Sequence, residues 1–151
     1  SEAAVPVDGT QPAMGDGDFA QRHPMRILVA EDNAVNRRVC ELLFKRLGYD
    51  VDFALDGEMA VESQATHDPD LILMDMHMPK LDGLDATRRI RLHTGRDDRP
   101  WILALTADAR PSVRSAAFES GMNDFLSKPI DTGEFHGAIL RAHAALGRSS
   151  G

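Results

Sequence analysis

Residues 71–83 read LILMDMHMPKLDG, and this stretch decides the fold. Four apolar residues lead directly to Asp75, and Pro79 and Gly83 interrupt the segment that follows. A short apolar run bounded by Asp, Gly or Pro is typical of a strand that is buried on both faces of a parallel sheet. The chain contains four more runs of this kind, at residues 25–30, 51–54, 101–106 and 124–127.

Helical patterns lie between these runs. Gly48 is placed to end a helix over 35–47, and Gly121 follows a helix over 111–119 that a proline opens. The other predicted helices are 56–64, 84–92 and 132–146. This alternation predicts an α/β fold, a five-stranded parallel sheet with five helices on its two faces. In such folds functional groups lie at the carboxyl ends of the strands.

The first helix carries apolar residues at helical spacing, and they predict its buried face: Val35, Val39, Leu42, Leu43 and Leu47. Val35 and Val39 have an alternative interpretation as a small docking patch. The adjacent Arg37 and Arg38 could steer an acidic partner or form an ordinary solvated surface.

Length and composition limit the classes of protein. The 151 residues suit one domain, and the single Cys40 excludes a disulfide framework or a Cys-rich zinc site. No apolar run is long enough to span a membrane, no signal peptide is visible, and the net charge of −7 disfavours nonspecific nucleic-acid binding. Residues 1–24 are predicted to be a disordered linker or tag, 25–146 the domain, and 147–151 a tail.

Polar residues follow four of the five predicted strands. They are Glu31 and Asp32 after the first strand, Asp75 after the third, Thr106 and Asp108 after the fourth, and Lys128 after the fifth. Each alone has a plainer interpretation; an acidic pair after a strand, for example, often caps a helix. Together, Glu31, Asp32, Asp75, Thr106 and Lys128 predict three carboxylates, a hydroxyl and an ammonium at one edge of the sheet.

Three neighbouring carboxylates repel one another unless a cation neutralises them. Mg²⁺ prefers oxygen ligands and is typically held by one or two carboxylates together with phosphate oxygens. A cation, a lysine and a threonine around one aspartate suit the arrival of a phosphoryl group on that aspartate.

Four segments resemble the receiver domain of two-component response regulators: ILVAEDN, ILMDMHMPKLDG, ALTA and GMNDFLSKPI. The resemblance covers roughly residues 25–144 and implies the flavodoxin-like, doubly wound strand order 2-1-3-4-5. It makes Asp75 the phosphoacceptor, with Thr106 and Lys128 as its catalytic partners. Phe125 takes the aromatic switch position, and no organic cofactor site is implied.

The resemblance also implies a metal site for Mg²⁺, for which Mn²⁺ could substitute. Its protein ligands would be Glu31, Asp32, Asp75 and the backbone carbonyl of His77. The His77 ring itself is interpreted as a loop side chain, and Asp108 as a residue near the approach of an attacking water. The peptide bond between Lys128 and Pro129 is expected to be cis.

The segment EDNAVNRRV is most similar to the corresponding segment of receivers fused behind kinases in hybrid sensor histidine kinases. The implied partners are a histidine kinase dimerisation and phosphotransfer domain and a His phosphotransfer protein. Neither nucleic acid nor direct membrane contact is implied. The expected location is cytoplasmic, with a parent that could be anchored in the inner membrane. The isolated domain is not expected to be a turnover enzyme beyond its own phosphorylation and dephosphorylation, whereas the parent would be a histidine protein kinase.

Three other interpretations remain open at this stage. One is a stand-alone single-domain response regulator. Another is an Asp-nucleophile phosphohydrolase, which is disfavoured because Met76 and His77 follow Asp75 where a second acid is expected. The third is an FMN binder with the same sheet, which is disfavoured because Glu31 and Asp32 would repel a phosphate.

Overall fold

A five-stranded parallel sheet forms the centre of the protein, whose computed structural model describes residues 17–149. Its strands are β1 (Ile27–Ala30), β2 (Val51–Ala54), β3 (Leu71–Asp75), β4 (Trp101–Thr106) and β5 (Asp124–Ser127). The strand order is β2-β1-β3-β4-β5, which confirms the prediction. Every residue of β1 and β3 is buried, as expected for strands covered on both faces.

Helices cover both faces of the sheet. They are α1 (Phe19–Arg22), α2 (Ala34–Arg46), α3 (Gly57–His67), α4 (Gly83–Thr94), α5 (Pro111–Ser120) and α6 (Thr132–Ser149). Helices α1, α2 and α6 pack on one face, and α3, α4 and α5 pack on the other, so each face has its own apolar core. No helix within residues 17–149 is long and apolar enough to cross a bilayer.

Side-chain caps fix where the helices after β1, β2 and β3 begin. Asn33 accepts a hydrogen bond from the Asn36 amide at the start of α2, and Asp56 and Asp82 cap α3 and α4 in the same way. Helices α2 and α3 begin within four residues of the end of the preceding strand, and α4 begins eight residues after the end of β3. The polar residues at the strand ends are therefore held close to the sheet edge.

The prediction of a disordered linker through residue 24 is wrong for the part that the structure describes. Phe19 is only 3% exposed and belongs to the core beneath α2 and α6, and the Ala20 amide donates to the Leu47 carbonyl. The Tyr49 hydroxyl also donates to the His23 carbonyl. A four-residue helix has too few residues to show a period, so the sequence pattern missed it. Residues 1–16 lie outside the described part.

The predicted end of the last helix is also too early. Helix α6 extends to Ser149, so residues 147–149 continue the helix instead of forming a tail. Its last turns keep Ala145 and Leu146 buried against the fold. Residues 150 and 151 lie outside the described part.

The buried face of α2 was predicted wrongly for most of its apolar residues. Val35 is 71% exposed, and Val39 and Leu42 are more than 40% exposed. The face that packs on the sheet consists of Cys40 and Phe44, with Leu47 just after the helix. Helix α2 has apolar residues on two sides, and only one of them can face the core. The other leaves an exposed apolar strip on the surface.

Candidate functional site

The register of the sheet brings the three predicted carboxylates together. Ala30 of β1 lies beside Met74 of β3, so the residues that follow, Glu31 and Asp75, are neighbours. A carboxylate oxygen from each of Glu31, Asp32 and Asp75 lies within 4.8 Å of the others. Glu31 and Asp75 are buried, whereas Asp32 is exposed at the mouth of the cluster.

Lys128, from the loop after β5, reaches across the sheet edge to this cluster. Its Nζ atom lies 3.1 Å from Glu31 Oε1 and 3.2 Å from Asp75 Oδ2. Burial opposes the charge of Lys128, but the two carboxylates outweigh it and raise the pKa of the ammonium. The peptide bond between Lys128 and Pro129 is cis.

Glu31 is a buried carboxylate whose surroundings disfavour its negative charge. Burial, followed by the contact with Asp75, raises its pKa from 4.5 to about 7. Its Oε2 atom accepts the Asn33 amide, but Oε1 is buried and accepts no hydrogen bond within the described residues, even with Lys128 near. A hard divalent cation fits this donor set because Oε1, which within residues 17–149 has only the Lys128 ammonium as an ion-pair partner, would gain a second positively charged partner.

The net charge of the ionised cluster also fits such a cation. Three carboxylates and one ammonium, −3 and +1, leave −2. A divalent cation would balance this charge, whereas an incoming anion such as a phosphoryl group would be repelled. The cluster is therefore suited to receive a phosphoryl group only together with a metal ion.

Thr106 lies at the end of β4, on the strand next to Asp75. Its side chain is buried, and its Oγ1 atom accepts the Asp108 amide at 3.0 Å. Its carbonyl accepts the Lys128 amide at 2.8 Å, which ties the loops after β4 and β5 together. A movement of Thr106 would therefore act on both loops.

Phe125, at the predicted switch position on β5, already lies inward. Its ring is buried, and the Arg114 guanidinium of α5 stacks over it at 5.2 Å from the ring centroid. This cation–π contact links β5 to α5.

Asp108 and His77 lie at the rim of the site. The carboxylate of Asp108 binds the Arg110 guanidinium at two points, and this hydrogen-bonded pair lowers the Asp108 pKa to about 2. The His77 ring is exposed, and the His77 amide donates to Asp75 Oδ1 at 3.1 Å. The Asp108 carboxylate, which was predicted to lie near an attacking water, is thus paired with Arg110.

Two glycines permit the loops around Asp75 to pack closely. A Cβ atom at Gly83 would overlap the Asp75 carbonyl, and one at Gly57 would overlap the Leu81 carbonyl. The start of α4 can therefore lie directly against the strand end that carries Asp75. This contact explains why a glycine follows Asp82 in the segment 71–83.

Sequence reasoning missed the role of Arg37. Its Nη1 atom donates to the carbonyls of Glu31 and Asp32, at 3.0 and 2.8 Å. The guanidinium of Arg37 therefore turns back toward the site, and its role in steering a partner stays a prediction. Arg38 does point outward and pairs with Glu41. A residue four positions after Asn33 lies one helical turn into α2, a spacing from which a long side chain can reach back.

The sequence profile of the response regulator receiver domain matches residues 27–140, and the chain belongs to this family. The chain is therefore a receiver domain of two-component signal transduction, as the sequence predicted. It is 38% identical to Histidine protein kinase 1 of Candida albicans over 122 residues, which are 75% of this chain and 5% of that kinase. The chain spans 5% to 16% of the length of the first curated kinases that it matches.

Solved structures share the fold. The receiver domain of the sensor histidine kinase PA1611 from Pseudomonas aeruginosa is 41% identical, with a TM-score of 0.72, and the match covers 80% of this chain and 98% of that one. That structure holds a magnesium ion in its active-site cleft. The receiver of Ssk1 from Saccharomyces cerevisiae, crystallised with the histidine phosphotransfer protein Ypd1, is 26% identical with a TM-score of 0.74, covering 80% and 89% of the two chains.

Proposed function

We propose that Asp75 of this receiver domain accepts a phosphoryl group from a phosphohistidine and passes it to the histidine of a phosphotransfer protein. The observation that carries the proposal is the cluster in which a buried Asp75 meets Glu31, Asp32 and Lys128. A carboxylate with acids on one side and an ammonium on the other is equipped to bind a metal and a phosphoryl group at once.

In the proposed transfer, a carboxylate oxygen of Asp75 forms a bond to phosphorus while the bond between phosphorus and the donor nitrogen breaks. The electron pair of the broken bond stays on the donor ring, which takes up a proton. The Lys128 ammonium stabilises the charge on the transferred phosphoryl oxygens, and the Thr106 hydroxyl is the donor that can turn toward them. The reverse process, with a new histidine as acceptor, completes the relay.

We assign Mg²⁺ to the cluster, with Mn²⁺ as a substitute. Glu31, Asp32 and Asp75 would hold it, together with the His77 carbonyl. The ion would neutralise charge on the incoming phosphoryl group and let the three carboxylates remain ionised. The magnesium-bound receiver of PA1611, which is 41% identical, supports this assignment.

Metal binding tests the proposed ligands independently of phosphorylation. In a calorimetric Mg²⁺ titration we expect Asp32→Ala to bind far more weakly than the wild type, because an exposed ligand oxygen is lost. Asp52→Ala, which removes an exposed carboxylate from β2, is the control. Equal affinity of Asp32→Ala and the wild type would remove Asp32 from the metal site.

We also propose that phosphorylation is signalled through the surface formed by β4, α5 and β5. Thr106 would turn toward the phosphoryl group and give up its contact with the Asp108 amide. That change can reach Arg114, and the Phe125 ring beneath it, because the loop after β4 leads into α5, and it can reach the end of β5 through the hydrogen bond between Thr106 and Lys128. If Thr106→Ala takes up phosphate and its amide spectrum still changes fully on this surface, the signal takes another route.

The exposed apolar strip of α2 is the proposed docking surface for the histidine-bearing partner. Its members are Val35, Val39 and Leu42, and α2 begins in the loop that carries Glu31 and Asp32. A helical partner seated there would bring its histidine to the sheet edge. A small patch of this kind suits weak, rapidly exchanging binding. The yeast receiver crystallised with Ypd1 supports a phosphotransfer protein as the class of partner.

A charge placed on the strip tests the docking surface. We expect Val39→Asp to slow transfer from a phosphorylated histidine phosphotransfer protein and to leave phosphorylation by acetyl phosphate unchanged. Leu92→Asp is the control, since Leu92 is 85% exposed on α4. If both variants accept phosphate from the protein donor at the wild-type rate, the docking surface lies elsewhere.

The parent protein is proposed to be a hybrid sensor histidine kinase. Two hybrid signal transduction histidine kinases of Dictyostelium discoideum and Histidine protein kinase 1 of Candida albicans match this chain at 38–39% identity, and the chain corresponds to a small part of each. A cytoplasmic receiver behind an anchored kinase is the arrangement we propose. The sequence upstream of the receiver in the full-length gene tests this proposal, because it would have to encode a kinase catalytic domain.

A further inference from the structure

The loop that carries Glu31 and Asp32 has few side-chain contacts of its own. Glu31 is anchored by burial and by the Asn33 amide, but Asp32 is exposed. Within residues 17–149 no hydrogen bond holds the Asp32 carboxylate. The position of Asp32 therefore depends on the backbone on either side of it.

Arg37 fixes that backbone. The carbonyls of Glu31 and Asp32 belong to the two peptide planes that flank the Asp32 Cα atom, and one guanidinium nitrogen of Arg37 binds both. Holding both planes restrains the two backbone dihedral angles of Asp32. Since Arg37 lies on the first turn of α2, the loop is fastened to a helix that is itself packed on the core.

We infer that Arg37 is a positioning residue for the metal-binding pair, holding Asp32 where its carboxylate can bind a divalent cation. This inference rests on the proposed metal role of Glu31 and Asp32. Groups that orient metal ligands from outside typically change metal affinity about 10–100-fold when they are removed. Arg37 would act in this way through backbone atoms.

The charge of Arg37 gives a competing expectation of opposite sign. A cation near the site repels Mg²⁺, so loss of the charge alone would strengthen metal binding. Loss of the positioning contacts would weaken it. The direction of the change therefore distinguishes the two effects.

The test is a calorimetric Mg²⁺ titration of the wild-type chain, Arg37→Ala and Arg38→Ala. The two variants remove the same charge from adjacent positions on α2, but Arg38 contacts only Glu41 among the interactions described. We expect Arg37→Ala to bind Mg²⁺ about tenfold more weakly and Arg38→Ala to stay within about twofold of the wild type. Backbone ¹⁵N relaxation should show added motion at residues 31–33 in Arg37→Ala alone.

Unchanged or tighter Mg²⁺ binding by Arg37→Ala would overturn the inference while leaving the metal site intact. Failure of the wild type itself to bind Mg²⁺ would instead overturn the proposed metal role and this inference with it. If Arg37→Ala does not fold, Arg37→Gln, a good helix former that also lacks the guanidinium, takes its place with the same two outcomes.

Discussion

Replacement of Phe19 by alanine should destabilise the whole receiver domain, although Phe19 lies before the first strand. Its ring is 3% exposed and makes contacts with the rings of His23, Tyr49 and His136. A helix of four residues has no stability of its own, so residues 17–24 stay in place through these ring contacts and through the hydrogen bonds of Ala20 to Leu47 and of Tyr49 to His23. Loss of the ring removes the main contact of the segment with the core.

The size of the effect follows from the buried area. An aromatic side chain buries roughly 200 Å², which at about 25 cal/mol per Å² is an upper limit of about 5 kcal/mol. The variant can reduce this loss by releasing residues 17–24 from the core, which avoids leaving a cavity there. We therefore expect the free energy of unfolding to fall by about 3 kcal/mol. At about 3 °C per kcal/mol, the melting temperature should fall by about 9 °C.

The assay is urea and thermal unfolding followed by circular dichroism. Leu92→Ala is the control, because Leu92 is 85% exposed on α4 and its loss should change stability by less than about 0.5 kcal/mol. If Phe19→Ala unfolds within about 0.5 kcal/mol of the wild type, residues 17–24 do not belong to the folded domain.

Two further predictions concern the buried acid Glu31 and the half-buried amide side chain of Asn123. The folded pKa of Glu31, about 7, lies above its ordinary value of 4.5, so this group stabilises the fold fully below about pH 4.5 and the stabilisation is lost as the pH rises through 7. Between about pH 5 and 8 the melting temperature of the metal-free wild type should therefore fall relative to that of Glu31→Gln, and parallel curves would contradict the raised pKa. Asn123 accepts hydrogen bonds from the Ile102 amide and the Arg91 guanidinium. Asn123→Ala should therefore lower the free energy of unfolding in urea by about 1–3 kcal/mol. An unchanged free energy of unfolding would show that both donors find other partners.

The sequence predicted the sheet order and the convergence at its edge because both depend on strong local signals. Each strand is a short apolar run, and a parallel sheet places every strand end at the same edge, so Glu31, Asp75 and Lys128 had to approach one another. The glycine at position 83 and the caps before the helices are likewise visible as single residues.

The errors have a different physical origin. Helix α2 is apolar on two sides, and spacing alone does not tell which side meets the core. The side that carries the larger Phe44 packs on the sheet, while Val35 stays exposed. Helix α1 is held by tertiary contacts, chiefly those of Phe19, which no local pattern reveals. The hydrogen bonds of Arg37 were missed because a surface arginine and one that reaches back to carbonyls look the same in a sequence.

Phosphorylation at Asp75 is the central claim, and intact-mass spectrometry after incubation with Mg²⁺ and acetyl phosphate tests it most directly. The wild type should gain one phosphoryl group, which chelation of Mg²⁺ should prevent, and Asp75→Asn should gain none because it lacks the nucleophilic carboxylate. Asp82→Asn, which alters the acid that caps α4, should still be phosphorylated. Uptake of a phosphoryl group by Asp75→Asn at the wild-type level would contradict the account.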